Sequence, residues 1–216
     1  MSFAFVFDMD GVIVDSNPYH KIALREFCGK HGYTLTETEL REKIYGRANK
    51  DWIPNLFGRI DPSLAKRYAD EKESLFREIY APHIQAVPGL IEFLDELDRS
   101  HIARAIATSA PRANVDFTLD RTGISHYFEV ILDESLVNKG KPDPEIYLKT
   151  AKALNLPPNQ CVVIEDSLSG VEAATAAGSR VSAITTTHSK AEFPPVDLVI
   201  DNFVGLSPKG VISRLF

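Results

Sequence analysis

Carboxylate, hydroxyl and ammonium side chains occur at four places in this sequence, each next to a short apolar run or a glycine. The first place is the stretch "FAFVFDMDG", in which an apolar run leads directly into Asp8 and Asp10. Burying a carboxylate at the end of a strand costs free energy, so we expect the two aspartates to have a chemical role. The four places comprise Asp8 and Asp10, then Thr108, Ser109 and Ala110, then Lys141, and finally Glu165 and Asp166.

These carboxylates would form a strongly acidic cluster if the fold brought them together. At an effective dielectric constant of about 20, two carboxylates about 4 Å apart repel each other by roughly 4 kcal/mol. Such a cluster needs either a bound cation or raised pKa values. Because the ligands are oxygen atoms, without His or Cys, the pattern favours a hard cation, Mg²⁺ before Ca²⁺.

The same residue types are suited to phosphoryl transfer. An aspartate held beside Mg²⁺ and Lys141 can attack phosphorus as a nucleophile and form an aspartyl phosphate. A second carboxylate two residues further on points to the same side of a straight strand, where it can protonate a leaving alcohol and then deprotonate water. A lysine together with a Thr/Ser pair would complete a site for a phosphoryl group.

The elements that must position these side chains are short strands alternating with helices. Amphipathic segments of helical length cover residues 88–100, 112–123, 144–155 and 169–178. Alternation of this kind predicts an α/β fold with a parallel sheet and helices on both faces, and ligands bind such sheets at the carboxyl ends of the strands. The predicted strands are residues 3–7, 102–108, 128–132, 161–165, 180–185 and 197–200.

The segment from Ser16 to Pro82 has a different character. It shows no convincing strand, its apolar residues recur at near-helical spacing, and it is too long for an ordinary crossover connection. We therefore predict two domains, an α/β core formed by residues 1–15 and 83–216 and an all-helical domain formed by residues 16–82. Within the helical domain we expect Trp52 in the core and the charged run "DEKESLFRE" on a solvated helix face.

Composition excludes several functional classes. Of the 216 residues, 44% are apolar and 25% charged, and the net charge is −6, which argues against general nucleic-acid binding through a basic surface. No apolar stretch reaches the roughly 18–20 residues of a membrane span, and no secretory signal pattern is present. The two cysteines lack metal-ligand spacing and suit a reducing compartment. We expect a cytoplasmic monomer that acts on a small molecule.

Taken together, the motifs resemble those of the haloacid dehalogenase superfamily of phosphohydrolases over the whole chain. The resemblance rests on "DMDG", "ATSA", "GKPDP" and "VVIEDSLSGVEAATAAG", which occur in the order and at the spacing of that superfamily. The helical insertion after the first motif, with "DSNPYH" at its entrance, is similar to the beta-phosphoglucomutase-like branch. The resemblance implies a three-layer, Rossmann-like core with a small all-helical cap domain inserted after the first strand.

The resemblance also implies roles for the acidic residues. Asp8 would be the nucleophile and a Mg²⁺ ligand, and Asp10 would be the general acid and base, with its backbone carbonyl on the metal. Asp166 would be a further metal ligand, and Glu165 would act on the metal directly or through water.

The remaining motifs would bind the phosphoryl group. Ser109 and the backbone N–H of Ala110, next to Thr108, would hold the phosphoryl oxygens, and Lys141 would balance their charge. A cap of this kind closes over the substrate and excludes bulk water.

Candidate substrate contacts in the cap are His20, Arg47, Asn49 and Lys50. His20 matches a hinge histidine of the branch. In beta-phosphoglucomutases an arginine grips the second phosphate of the sugar, whereas the segment "YGRANKDW" carries Asn49 at that place.

We therefore predict a Mg²⁺-dependent phosphatase of small sugar or polyol phosphates. The alternatives are a beta-phosphoglucomutase and an inorganic pyrophosphatase. A receiver-like switch that stores a phosphoryl group is opposed by Asp10, which would clear the group, and by the helical insertion.

Overall fold

The computed structural model describes residues 2–44 and 48–216. Its sheet has six parallel strands in the order β3-β2-β1-β4-β5-β6, so the predicted α/β class is confirmed. Every predicted strand is present, with ends that differ by at most two residues. The strands are β1 (Ala4–Phe7), β2 (Ala103–Ala107), β3 (Val130–Leu132), β4 (Cys161–Glu165), β5 (Arg180–Ile184) and β6 (Leu198–Ile200).

Each of the four segments predicted to be helical in the α/β core forms an α-helix, and the described part of residues 16–82 forms four more. The last α-helix of the described residues was not predicted. Ser207 caps that helix by accepting from the Gly210 N–H, and Pro208 occupies its first turn. The helices are α1 (Asn17–Lys30), α2 (Glu37–Lys43), α3 (Asn49–Phe57), α4 (Pro62–Tyr80), α5 (Leu90–Arg99), α6 (Arg112–Thr122), α7 (Glu145–Ala153), α8 (Leu168–Ala176) and α9 (Pro208–Leu215).

The central strands are buried on both faces, which explains why they read as continuous apolar runs. On one face, Phe5 and Phe7 of β1 meet the ring of Phe93 in α5 edge-on, with ring centroids 5.3 and 6.3 Å apart. On the other face, Val6 packs in a cluster with buried residues of α7 and α8, including Tyr147. Helices therefore cover both faces, in three layers.

The described chain divides into two compact units. One contains Ser16–His83 with helices α1 to α4, and the other contains the sheet and the remaining helices. In the helical unit α1 packs against α4, and Trp52 is buried with its ring edge-on to Phe27 at 5.8 Å. None of the helices in the described ranges has the length and apolar character needed to cross a membrane.

Two glycines of the sheet unit allow a matched test of close packing. Gly89 and Gly123 both have left-handed backbone, with φ of +79° and +71°. A Cβ on Gly89 would lie 2.4 Å from the backbone carbon of Phe203, whereas a Cβ on Gly123 would have nothing within 4 Å.

We predict that Gly89→Ala destabilises the protein more than Gly123→Ala does. The left-handed backbone costs about 1–2 kcal/mol in both variants, and the clash with Phe203 adds roughly 1–3 kcal/mol in the first. Urea unfolding of both variants measures the difference in the free energy of unfolding. Equal losses would show that the contact with Phe203 does not restrict this position.

Candidate active site

The order of the strands reverses at β1, which lies between β2 and β4. In open parallel sheets this reversal opens a crevice at the carboxyl ends of the strands. Phe7 of β1 is in register with Ile106 of β2 and Ile164 of β4. The residues that follow are therefore level with one another, and the Asp8 N–H donates to the Ile164 carbonyl at 3.1 Å.

A tight turn after β1 places Asp10 near Asp8. The Met9 carbonyl accepts hydrogen bonds from the N–H groups of the residues at 12, 13 and 14, and the Gly11 N–H donates to the Val14 carbonyl at 2.7 Å. Gly11 has a φ of 80°, a left-handed conformation that favours glycine. The side chain of Met9 is fully buried, whereas Asp10 is half-buried at the site edge.

Three carboxylates meet at this edge of the sheet. Asp8, Glu165 and Asp166 each offer an oxygen atom, and these atoms lie within 4.8 Å of one another. All three residues are buried, and Glu165 has no exposed surface. The sequence predicted that these residues would converge, and the structure brings them together.

Lys141 lies inside this cluster. Its Nζ atom is 2.6 Å from Asp8 Oδ1, 2.5 Å from Glu165 Oε1 and 3.2 Å from the Ala107 carbonyl oxygen. An ammonium group has three N–H donors, so these acceptors use its full donor capacity. The predicted position of Lys141 beside the nucleophile candidate agrees with this geometry.

Glu165 is held by donors on both of its oxygens. Oε1 accepts from Lys141 and from the hydroxyl of Tyr147 at 2.6 Å. Oε2 accepts from the N–H groups of Asp166 and Ser167 and from Ser167 Oγ, at 3.0–3.1 Å. Gly170 leaves room for this carboxylate, since a Cβ there would lie 1.8 Å from Oε1.

Burial and repulsion between carboxylates raise the pKa values of two members of the cluster. Burial raises the pKa of Asp8 to about 7, because the neighbouring Lys141 compensates only in part and Glu165 and Asp10 add repulsion. Burial, with repulsion from Glu165 and Asp8, also raises the pKa of Asp166 well above its usual range.

Glu165 and Lys141 behave as an ionised pair. Burial opposes the charge on each of them. Attraction to Lys141 nevertheless lowers the pKa of Glu165, and attraction to Asp8 and Glu165 raises that of Lys141 well above its usual range. For Asp8 and Asp166, burial and repulsion between the carboxylates disfavour the charged forms. A divalent cation would offset both effects, and oxygen donors suit Mg²⁺.

The end of β2 supplies the hydroxyl pair predicted to bind a phosphoryl group. Ser109 is exposed, whereas Thr108 is buried and its Oγ1 accepts from the Ala110 N–H at 3.1 Å. The N-cap of α6 is Pro111, and no side chain caps this helix. The Ala110 N–H, which we expected to face a phosphoryl oxygen, is therefore engaged by Thr108 here.

Sequence reasoning did not single out two polar residues at the site. Tyr147 belongs to α7 and follows "GKPDP" at "EIY", in a segment that the sequence identified only as an amphipathic helix. Thr187 lies in the loop after β5 and donates to Asp166 Oδ2, while its neighbour Thr186 donates to the Gly11 carbonyl. The run "TTTHS" after a predicted strand was the available signal for these threonines.

The candidate residues of the helical unit fall into different environments. The ring of His20 stacks on Phe76 at 3.6 Å, and its Nδ1 is 3.4 Å from Lys72 Nζ. Asn49 donates to Glu73 at 2.8 Å and accepts from the Trp52 indole at 2.9 Å. Lys50 is exposed, and Arg47 lies outside the described residues.

The expectation of a solvated face for "DEKESLFRE" is wrong for two of its charged residues. Lys72 and Glu73 are buried, and their charged atoms are 2.5 Å apart. Burial opposes ionisation of Glu73, but Lys72 and nearby donors lower its pKa overall. Charge content alone could not separate these buried residues from the exposed ones of the same helix.

Known proteins resemble this chain in sequence and structure. A phosphorylated carbohydrates phosphatase of Thermotoga maritima is 37% identical over 180 residues, which are 81% of each chain. A family IA, variant 3 hydrolase of Entamoeba histolytica has a TM-score of 0.90 and 29% identity, and covers 100% of this chain and 99% of its own. A beta-phosphoglucomutase of Clostridium difficile has a TM-score of 0.85 and 26% identity, with coverage of 100% and 97%.

The family described as haloacid dehalogenase-like hydrolase matches residues 5–184, a range that begins in β1 and ends with β5. This range contains the carboxylates, the Thr/Ser pair and the lysine of the strand-end cluster. On the strength of this match and of the 37% identity to a phosphatase, the chain belongs to the haloacid dehalogenase-like hydrolase family.

Proposed function

We propose that this protein is a Mg²⁺-dependent phosphatase that hydrolyses small sugar or polyol phosphates through a phosphorylated Asp8. The observation that carries the proposal is the buried contact of Asp8 with Lys141, in a cluster with the carboxylates of Glu165 and Asp166. A nucleophile in this position meets a phosphoryl group beside a cationic donor. The 37% sequence identity to a phosphorylated carbohydrates phosphatase also supports phosphate ester hydrolysis.

Asp8, Asp166 and the backbone carbonyl of Asp10 are the groups proposed to hold Mg²⁺. Glu165 is proposed to act through Lys141 rather than on the metal directly, because donors already occupy both of its oxygens. When bound, the ion supplies charge neutralisation and polarises a phosphoryl oxygen.

The chain's own residues carry out two displacements in this proposal. An oxygen of the Asp8 carboxylate forms a bond to phosphorus as the ester P–O bond breaks, and Asp10 gives its proton to the departing alcohol. Asp10 then takes a proton from water, whose oxygen attacks phosphorus and releases Asp8 and inorganic phosphate. Lys141 is proposed to balance the charge of the phosphoryl group through its positive charge, and Ser109 to donate to a phosphoryl oxygen, during both steps.

The substrate is proposed to carry one phosphate. Asn49 offers no positive charge, and its amide is tied to Glu73 and Trp52. In the same helix unit Lys72 is paired with Glu73. We therefore assign neither Asn49 nor Lys72 a role in binding a second phosphate.

A phosphoglucomutase is the second candidate, and the likeness to the Clostridium difficile beta-phosphoglucomutase favours it. A panel of phosphate esters distinguishes the two functions. The panel contains beta-glucose 1-phosphate, hexose 6-phosphates, polyol phosphates, nucleotides and pyrophosphate. Release of inorganic phosphate supports the phosphatase, whereas conversion of beta-glucose 1-phosphate to glucose 6-phosphate without release supports the mutase. Release from pyrophosphate alone would identify a pyrophosphatase.

We predict that Asp8→Asn lowers phosphate release by roughly 10³-fold or more, because the amide cannot form the aspartyl phosphate. Phosphate release from the best substrate of the panel measures the effect. Asp116→Asn is the control, since Asp116 lies in an exposed ion pair with Arg112 and should leave the rate unchanged. Full activity of an Asp8→Asn preparation that contains no wild-type enzyme would contradict the mechanism.

We predict that Asp10→Asn separates the two chemical steps. With p-nitrophenyl phosphate the first step needs no proton, because nitrophenolate is a good leaving group, whereas attack by water still needs the base. Rapid mixing should show a burst of nitrophenolate about equal to the enzyme, then slow turnover. A wild-type phosphoenzyme that persists under the same conditions would instead indicate a receiver-like switch.

We predict that Mg²⁺ binding tightens as the pH rises from about 6 to 8. Because the pKa of Asp8 is about 7 and that of Asp166 is also raised, Mg²⁺ must displace protons at the lower pH. Calorimetry should show affinity that increases by up to roughly tenfold per pH unit for each displaced proton.

The effect of Asp8 on the stability of the metal-free protein has the opposite dependence on pH, because stability falls as the pH rises. Between pH 3.8 and about 7 the folded Asp8 binds more protons than the unfolded one, so its contribution destabilises the metal-free fold as the pH rises. The melting-temperature increase caused by Mg²⁺ should therefore grow with pH. An affinity that does not change over this range would contradict the proposed ligands.

A further inference from the structure

Tyr147 contacts both Glu165 and Lys141, which form the buried ion pair next to Asp8. Its hydroxyl is 2.6 Å from Glu165 Oε1, and its ring centroid is 5.1 Å from Lys141 Nζ. The residue belongs to α7 and is 2% exposed. A buried tyrosine hydroxyl normally requires a partner, and here the partner is the same carboxylate oxygen that binds the lysine.

The position of the Lys141 ammonium depends on a balance between two carboxylates. Its contacts with Asp8 Oδ1 and Glu165 Oε1 differ by only a tenth of an ångström, at 2.6 and 2.5 Å. Glu165 would attract the ammonium more strongly if Oε1 had no other donor. The Tyr147 hydroxyl takes up part of the negative charge on that oxygen, so the ammonium remains shared with Asp8.

We propose that Tyr147 is a positioning residue whose hydroxyl shares Glu165 Oε1 with Lys141 and thereby keeps the Lys141 ammonium against Asp8. The inference rests on the proposed function in one respect, namely that Lys141 serves the phosphoryl group at Asp8. Within the described residues, the hydroxyl of Tyr147 bonds to Glu165 and not to Asp8. Its effect is transmitted through the pair of Glu165 and Lys141.

The test compares two conservative variants of the same helix. Tyr147→Phe keeps the ring and its contact with the ammonium but removes the hydroxyl. Thr150→Val, one turn along α7, removes a fully buried hydroxyl that donates to the carbonyl of Ile146 at 2.8 Å within the same helix. Both variants lose one buried hydrogen bond, and only the first loses a donor to Glu165.

Two readouts are taken for each variant, a crystal structure of the metal-free protein and steady-state kinetics. In Tyr147→Phe we expect the distance from Lys141 Nζ to Asp8 Oδ1 to lengthen beyond 3.5 Å, outside hydrogen-bond range. We expect kcat to fall about tenfold, the scale of one hydrogen bond to a charged group, with KM changed less than about threefold. Thr150→Val should keep the 2.6 Å contact and the wild-type kcat.

The outcomes separate the positioning role from the proposed function. An unchanged distance in Tyr147→Phe, or an unchanged kcat despite a displaced ammonium, overturns the inference. Equal losses of kcat in both variants also overturn it, because they indicate general destabilisation of α7. If the wild-type protein releases no phosphate from any ester, the proposed function fails, and the crystallographic distance alone then supports or overturns the positioning role.

Discussion

The buried ammonium of Lys141 holds together carboxylates that would otherwise repel each other at the carboxyl edge of the sheet. It donates to Asp8, to Glu165 and to the Ala107 carbonyl, and so joins residues that follow or end three neighbouring strands. A charge placed so deeply is stable only if its donors are satisfied. The order of the sheet, with β1 between β2 and β4, is what brings these acceptors within reach.

The distribution of protons in this cluster follows from unequal compensation. Glu165 accepts from Lys141, Tyr147 and backbone N–H groups, and its pKa is lowered. For Asp8 and Asp166, burial and repulsion between the carboxylates outweigh the contacts with Lys141 and Thr187, and both pKa values are raised. Glu165 is therefore the ionised partner of the lysine, whereas Asp8 and Asp166 favour a proton or a cation. The chemical division among three similar side chains comes from their donors, not from their residue type.

The helical unit also contains a buried lysine–carboxylate pair that is held by additional hydrogen bonds. Lys72 and Glu73 form a buried pair, and Glu73 is further held by Asn49, whose amide oxygen accepts from Trp52. These contacts join α3 to α4 through polar groups within an otherwise apolar interior. They also turn Asn49, a candidate substrate contact, into a member of the unit's internal network.

The sequence by itself determined the alternation of strands and helices, the helical insertion and the identity of the charged residues at the strand ends. Apolar runs and helical periodicity are local properties, so they can be read from the sequence without the tertiary structure. The tertiary structure decided which of those charges are compensated. Tyr147, Thr187 and Lys72 look like core or surface residues along the chain, and only packing shows that they donate to or pair with buried carboxylates. Hydrogen-bond partners distant in sequence leave no local pattern, because they depend on how elements pack.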